Sequence, residues 1–386
     1  MDTDTLKTIG FVLMTLIGAA SVFLPPALVG LLALMATYNG APLAEMLSLW
    51  AGLAGLSALL GGWIIAQGVA GLRQRPSSPL FIARPWLWVA LLAAALVLSA
   101  AALDSPTVGG IAQVLGALLP GIALLSFASQ RLARADSPPT WRQVAAQVST
   151  TLTVSLGWSL FWEILALVGL AFIVGVAVGF FPDGVRAMEQ LREQFSDPSA
   201  IARGEMLRHP GVMAFLLVLM AGFVPPIEET GKLLAVGALA LARRAGRAQA
   251  LAWGLTCGIT FSLYEAAFAN PFPGVGAVIL LLRVGAMLVH GTAATLTAWG
   301  LWEWLARRKP GRLALGMALA IALHSAWNVL AIATAAFQTA TDSARLIALM
   351  AVPFGMLSVG AGVVLARTLE PLRLVHVLHI ERGEDR

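Results

Sequence analysis

Almost from end to end the chain alternates long apolar runs with short connections, and about 20 consecutive apolar residues are what a helix needs to cross about 30 Å of hydrocarbon. Ten such runs can be marked, at about 9–36, 43–72, 86–104, 107–130, 152–181, 211–243, 249–270, 275–306, 312–337 and 344–369. Within lipid every backbone N–H and C=O must be satisfied inside the protein, which leaves helices or closed barrels. The runs are too long for barrel strands. The expected fold is therefore all-α, a polytopic transmembrane helical bundle of about ten spans.

Composition agrees with a chain dissolved in lipid: 59% of residues are hydrophobic, 12% are charged, and the mean hydropathy is +0.83. The net charge of +5 would admit nucleic acid as a partner. It is excluded by where the basic residues lie. Lys7, Arg73, Arg75, Arg84, Arg131, Arg134, Arg142, Arg243, Arg244, Arg247, Arg307, Arg308, Lys309, Arg312 and Arg373 all fall in connections and tails on one side of a ten-span arrangement. The short connections near Asn39, Asp104, Pro271 and Thr341 on the other side are nearly free of them. That bias orients membrane proteins, so both termini are expected in the cytoplasm and the lipid bilayer is the expected partner.

The first run follows Lys7 but continues past Pro25-Pro26 without a small-x-small cleavage site, so it reads as a retained span and not a signal peptide. The sole cysteine, Cys257, excludes an intramolecular disulfide and a cysteine metal cluster. Only Lys7, Lys232 and Lys309 among the 25 basic residues are lysines, leaving 22 arginines. Such a bias fits a GC-rich genome, hence a bacterial cytoplasmic membrane. No internal repeat is evident. The expected organisation is a set of N-terminal helices over 1–210, a second helical bundle over 211–370 and a cytoplasmic tail at 371–386. The stretch 182–210 reads as an amphipathic outer connector, with Val185, Met188, Leu191 and Phe195 at helical spacing.

Against this background one run stands out. Pro225-Pro226-Ile227-Glu228-Glu229-Thr230-Gly231-Lys232 sets three ionisable side chains between Val212–Val224 and Leu233–Leu241. Charge at membrane depth is costly and normally faces a polar interior. The two prolines are expected to break the helix, with Glu228 and Glu229 in the first turn of the next one, where its dipole favours acids. Lys232 lies four residues after Glu228, on the same face.

The following spans each add polar chemistry: Glu265, then Arg283 and His290, then His324 with Asn328 one turn on. Imidazole and carboxylate are the usual ligands of catalytic zinc, which takes three protein groups and one water and brings the water's pKa towards neutrality. His290, His324 and Glu265 satisfy that count as ligands, with Glu228 or Glu229 as general base. Asn328 is placed to steady an oxyanion. Lys232 would hold Glu228 ionised or meet a substrate carboxylate. Arg283 is either a structural partner of Glu265 or a substrate contact. Glu163, between Trp162 and Ile164, is read as a packing residue. Counting residues from the span ends puts Glu228 and His290 at similar depth and Glu265 much nearer the outer side, which is hard to reconcile with one shared site.

Glu228-Glu229-x-x-Lys232, Phe261-x-x-x-Glu265, His290 and His324-x-x-Trp327-Asn328, in that order on successive spans, resemble the PrsW family of intramembrane proteases. That family is similar to the type II CAAX-prenyl endopeptidases and their bacteriocin-immunity relatives. The resemblance covers about residues 211–337. It implies peptide-bond hydrolysis on a membrane-anchored protein substrate such as an anti-sigma factor, with the paired glutamates at Glu228 and Glu229 and the histidines at His290 and His324. Whether zinc takes part, or a glutamate alone activates the water, is left open. In the CAAX-type relatives a histidine stands where this chain has Glu265. A proton- or ion-coupled transporter using the same Glu, Lys and His set is the alternative, as is a scaffold with polar interhelical contacts.

Overall fold

The computed structural model describes residues 3–38, 43–101, 106–133, 135, 137–179, 186, 189, 209–242, 245–268, 276–340 and 344–369. Over these the chain is helical, with no strand among the described residues beyond a single bridge between Pro79 and Thr140. The elements in order are α1 (Thr3–Tyr38), α2 (Leu43–Leu72), α3 (Pro85–Ala101), α4 (Pro106–Leu132), α5 (Trp141–Thr150), a π turn (Thr151–Ser155) and α6 (Leu156–Gly179). After the connector come α7 (Pro210–Leu216), a second π turn (Leu217–Phe223), α8 (Val224–Ala242), α9 (Arg247–Phe268), α10 (Gly276–Arg307), α11 (Pro310–Ala340) and α12 (Ala344–Leu369). Of the connector 182–210 only Arg186, Glu189, His209 and Pro210 are described, so its expected amphipathic helix lies outside the described residues, as does the tail 371–386.

Among the described residues seven segments are long and apolar enough to cross a membrane: Asp4–Leu31, Ala54–Leu72, Leu115–Leu132, Trp141–Val176, Pro210–Leu241, Pro310–Thr334 and Val352–Leu369. The ten runs marked in the sequence exceed that count for a physical reason. Helices α9 and α10 are long but carry Thr256, Thr260, Ser262, His290, Thr292, Thr295 and Thr297, all buried. Shielded from lipid by their neighbours, they need not be lipophilic. Over its described residues the apolar stretch of α3 is Pro85–Leu98, and residues 102–105 lie outside them.

The pair α9–α10 forms the centre, since every residue from Leu251 to Tyr264 is buried. Without a hydrophobic drive between helices in lipid, close backbone approach over small residues is what holds such a pair. Gly258 illustrates it, because a methyl group there would overlap the carbonyl of His290. The main core cluster joins Leu56, Ala128 and Leu132 from the first half to Leu251, Leu255, Met287 and Leu365 from the second. Helices α1 and α2 pack along a similar seam, where a Cβ on Gly18 would meet the Gly61 carbonyl and one on Gly61 the Gly18 carbonyl.

The expected break at Pro225-Pro226 does not occur. The chain stays helical from Pro210 to Ala242 because the turn just before the prolines widens to π geometry, with the Val224 N–H bonded to the Leu219 carbonyl. A wider turn makes room for the proline rings, which an ordinary turn would press against the preceding carbonyls. Continuing the same i to i−5 pattern, Pro225 would serve the Met220 carbonyl but has no N–H to give. Asn328 on α11 supplies the donor instead, its side-chain amide lying 2.6 Å from the Met220 oxygen.

Candidate functional site

Because α8 runs unbroken, Glu228, Glu229 and Lys232 project from one face at spacings of three and four residues. All three are buried, Glu229 and Lys232 completely. The Lys232 ammonium donates to Glu229 Oε1 at 2.7 Å and to His290 Nδ1 at 2.7 Å, with Glu228 Oε2 at 3.4 Å. Phe261 closes the underside, its ring 4.4 Å from Lys232 Nζ and 5.6 Å from the His290 ring. The three ammonium protons thus meet three acceptors over an aromatic face, which is how a cation is kept out of water.

The imidazoles stand edge to face with centroids 4.5 Å apart. His324 Nδ1 lies 3.0 Å from Glu229 Oε1, which leaves Nε2 turned towards Glu228 Oε2 at 3.8 Å. His290 Nε2 faces Glu265 Oε2 at 3.0 Å, off the line of a full hydrogen bond, while its Nδ1 turns towards Lys232 and towards Glu228 Oε2 at 3.9 Å. Each imidazole therefore has a carboxylate behind it and its other nitrogen directed at Glu228. Carboxylates in that rear position fix the tautomer and aim of a histidine.

One ligand atom each from Glu228, His290 and His324 lies within 4.8 Å of the others, so this buried trio could hold a metal ion. Among the described residues Glu265 does not enter such a set. The expected pairing of Glu265 as ligand with Glu228 as base is therefore rearranged: Glu265 backs His290, and Glu228 is the carboxylate between the two imidazoles. With neutral imidazoles, Glu228, Glu229 and Glu265 against Lys232 and Arg283 sum to a formal charge of −1. One added proton would balance it, whereas a divalent metal ion would leave +1 unless Lys232 gave up its proton. Lys232 already bonds to Glu228 and His290, so a metal held by the trio competes with that ammonium for the same acceptors.

Glu265 reaches the cluster despite its expected shallow depth because α9 and α10 do not end in one plane. Glu265 is three residues from the end of α9, whereas His290 is fourteen residues into α10. The α10 helix thus overruns its neighbour by about 16 Å at 1.5 Å per residue. Arg283 sits on that overrun with Nη1 3.8 Å from Glu265 Oε1, which favours its structural reading. The amide of Asn328 is engaged on the Met220 carbonyl and not directed at the trio.

Two neighbours of the centre were given no part in it from sequence, Phe261 entering only through the family resemblance and Glu163 being read as packing. Phe261 stands one helical turn before Glu265 on the same face, a spacing that would have placed it beside the charges. Glu163 of α6 is half-buried and within electrostatic reach of Glu265 and Lys232. Its signal was plain: it is the single acid in an otherwise apolar run. Oxygens of the paired glutamates remain for a small ligand. Glu229 Oε2 is buried without a hydrogen bond, and Glu228 Oε1 has none among the described residues.

The fold and site together define a membrane-embedded helical bundle with an acid–imidazole–lysine centre drawn from four helices. Comparison with family models, with curated proteins and with solved structures finds no match, so function has to be argued from the chemistry of the centre.

Proposed function

We propose that the protein is an intramembrane endopeptidase that hydrolyses a peptide bond of a membrane-anchored protein, with Glu228 as the base that takes the proton of the attacking water. The observation that carries this is the single focus of Glu228, His290 and His324, within 4.8 Å of one another inside a lipid-spanning bundle. Both glutamates keep one oxygen without a hydrogen bond among the described residues, but only Glu228 keeps some exposure, 6% against 0% for Glu229. Lys232 lies beside the developing charge and lowers its cost. In this reading Glu228 returns that proton to the leaving amine, while His324, backed by Glu229, faces Glu228 with Nε2. Where zinc is bound, Glu228, His290 and His324 would hold it and the ion would supply a water of lowered pKa, with Glu228 a ligand in that form and not the base.

The resemblance at residues 211–337 supports a substrate of the anti-sigma-factor class, anchored by one membrane helix. In this reading α3, α9 and α10 cross the bilayer as well, making ten spans, with both termini in the cytoplasm of a bacterial cell. The test is cleavage of single-pass substrates by the purified protein in detergent. The wild type is expected to cut and Glu228→Gln to be inactive; cutting undiminished in Glu228→Ala and His324→Ala removes the proposal. Elemental analysis of active protein separates the two forms of the mechanism. Stoichiometric metal that is lost in His290→Ala/His324→Ala selects the zinc form, and full activity without metal selects the glutamate form.

A specific feature also favours a second reading. Lys232 bridges Glu229 and His290 as a continuous relay, the type of buried chain through which pumps and coupled transporters pass protons. Proton-coupled uptake by proteoliposomes, abolished by Lys232→Met, would select a transporter.

A further inference from the structure

Away from the acid–imidazole centre the chain leaves a cavity of about 840 Å³ between α1, α5 with its π turn, α8 and α9. Ligand sites in proteins fall in this range and are mostly apolar with a few placed polar groups. Here the walls include Leu13, Met14 and Ile17 of α1 and Leu239 of α8. The charged groups gather at one end, while Ser149, Thr150 and Thr153 line the wall further along. Lys7 and Arg142 stand there with Ser77 and Gln143, about 15 Å from Ile17 along α1 at 1.5 Å per residue.

Both cations are positioned for an anion. The Arg142 guanidinium is anchored, with Nη2 2.6 Å from the Arg75 carbonyl and its plane over Phe11. Among the described residues Lys7 pairs with exposed Asp4, at 2.9 Å, and an exposed pair of that kind is weak enough to yield to a better partner. Deeper in, Trp253 lines the cavity, is fully buried, and has an indole N–H with no acceptor among the described residues. A buried donor without a partner is costly, and a ligand acceptor would relieve it. The α1 helix that walls the cavity is itself exposed along Leu13 and Leu16, on the surface that meets lipid.

An apolar chamber with cations at one end and a lone donor inside matches an amphiphile with a single negative head. We propose that this cavity binds an anionic phospholipid from the surrounding leaflet, with one acyl chain along Leu13, Met14 and Ile17, the phosphate at Lys7 and Arg142, and an ester carbonyl accepting from Trp253. Basic pockets between membrane helices take such headgroups, each nearby cation contributing about 1 kcal/mol. The site is independent of the proposed hydrolase activity. Trp253 packs in one cluster with Cys257, whose thiol lies 3.9 Å from the Lys232 carbonyl, so a bound lipid would brace the helix that carries the acids.

Gly10 offers a clean test, because it lines the cavity and a Cβ there meets nothing within 4 Å, which leaves room for a larger side chain to enter. The full-length protein, delipidated in detergent, is titrated with phosphatidylglycerol, phosphatidylcholine or inorganic phosphate, and followed by thermal unfolding and native mass spectrometry. Phosphatidylglycerol is expected to give a 1:1 adduct and a Tm that rises with its concentration. Lys7→Gln, an exposed change, should weaken it about fivefold. Gly10→Phe should unfold at the wild-type temperature without lipid yet lose both adduct and shift. Equal binding of phosphatidylcholine, an equal shift with inorganic phosphate alone, or an adduct retained by Gly10→Phe overturns the proposal.

Discussion

Lys232 donates to Nδ1 of His290 across 2.7 Å, which fixes the proton of that imidazole on Nε2, the nitrogen that faces Glu265. One contact therefore sets both the charge balance of α8 and the tautomer of the histidine on α10. The same lysine also draws Glu229, whose Oε1 is shared with His324. Removing the ammonium would disorganise every member of the centre at once.

Lys232→Met is accordingly expected to destabilise the protein by about 3–5 kcal/mol, the cost of leaving buried carboxylates without their cation. Adding Glu229→Gln to it should recover part of the loss, because the two residues share one interaction. Unfolding midpoints of the single and double variants in detergent check this. A Lys232→Met protein as stable as the wild type would mean that the ion pairs of α8 carry no net stabilisation.

The carboxylates separate by role. In the proposed hydrolase, Glu228→Gln removes the base and should lower the rate by about 10²–10⁴. Glu265→Gln, which only turns the rear partner of His290 from a carboxylate to an amide, should cost about 10–100-fold, as for other groups that aim a histidine. Single-turnover cleavage rates measure both. Equal losses would place Glu265 in direct contact with the reacting groups.

Much of this centre was legible in the sequence because charge in an apolar run has few explanations. Glu228, Glu229, Lys232, Glu265, His290 and His324 each announced themselves in that way, and they do converge. The Lys232–Glu228 and Arg283–Glu265 pairings were anticipated; what could not be read was which carboxylate stands behind each histidine. Residue counting assumes that helices end in common planes, which α9 and α10 do not, so Glu265 was expected too shallow. Hydropathy alone does not settle α9, which reads as a span in the sequence but whose buried polar residues keep it out of the seven segments apolar enough to cross. The π turn at Leu217–Phe223 has no residue signature of its own, and Pro225-Pro226 reads as a break unless the Asn328 contact a hundred residues away is known.

Close backbone approach places His290, and this can be tested without touching a polar group. Gly258→Ala puts a methyl into the His290 carbonyl, so α9 and α10 must part, and overpacking of this kind costs about 1–3 kcal/mol. Gly157→Ala, in the first turn of α6 with open space about it, should be neutral or stabilising by up to about 1 kcal/mol. Unfolding midpoints distinguish them. A Gly258→Ala protein as stable as Gly157→Ala would show that the α9–α10 seam is slack.

The link between α8 and α11 gives a prediction with its own rescue. Met220 lies in the stretch read as spanning lipid, and its carbonyl is left without a backbone donor by Pro225, so Asn328→Ala should cost about 1–3 kcal/mol, the penalty of an unsatisfied polar group. If that is its whole effect, then Pro225→Ala, which restores an N–H five residues on from Met220, should recover most of the stability in the Asn328→Ala background while adding little to the wild type. Activity is expected to return in parallel, because in this account the amide acts by holding the π turn and hence the face that carries Glu228, Glu229 and Lys232. Stability recovered without activity would show instead that Asn328 touches the reacting groups, as its place one turn beyond His324 first indicated. Measuring unfolding and turnover on the same four proteins decides between the two.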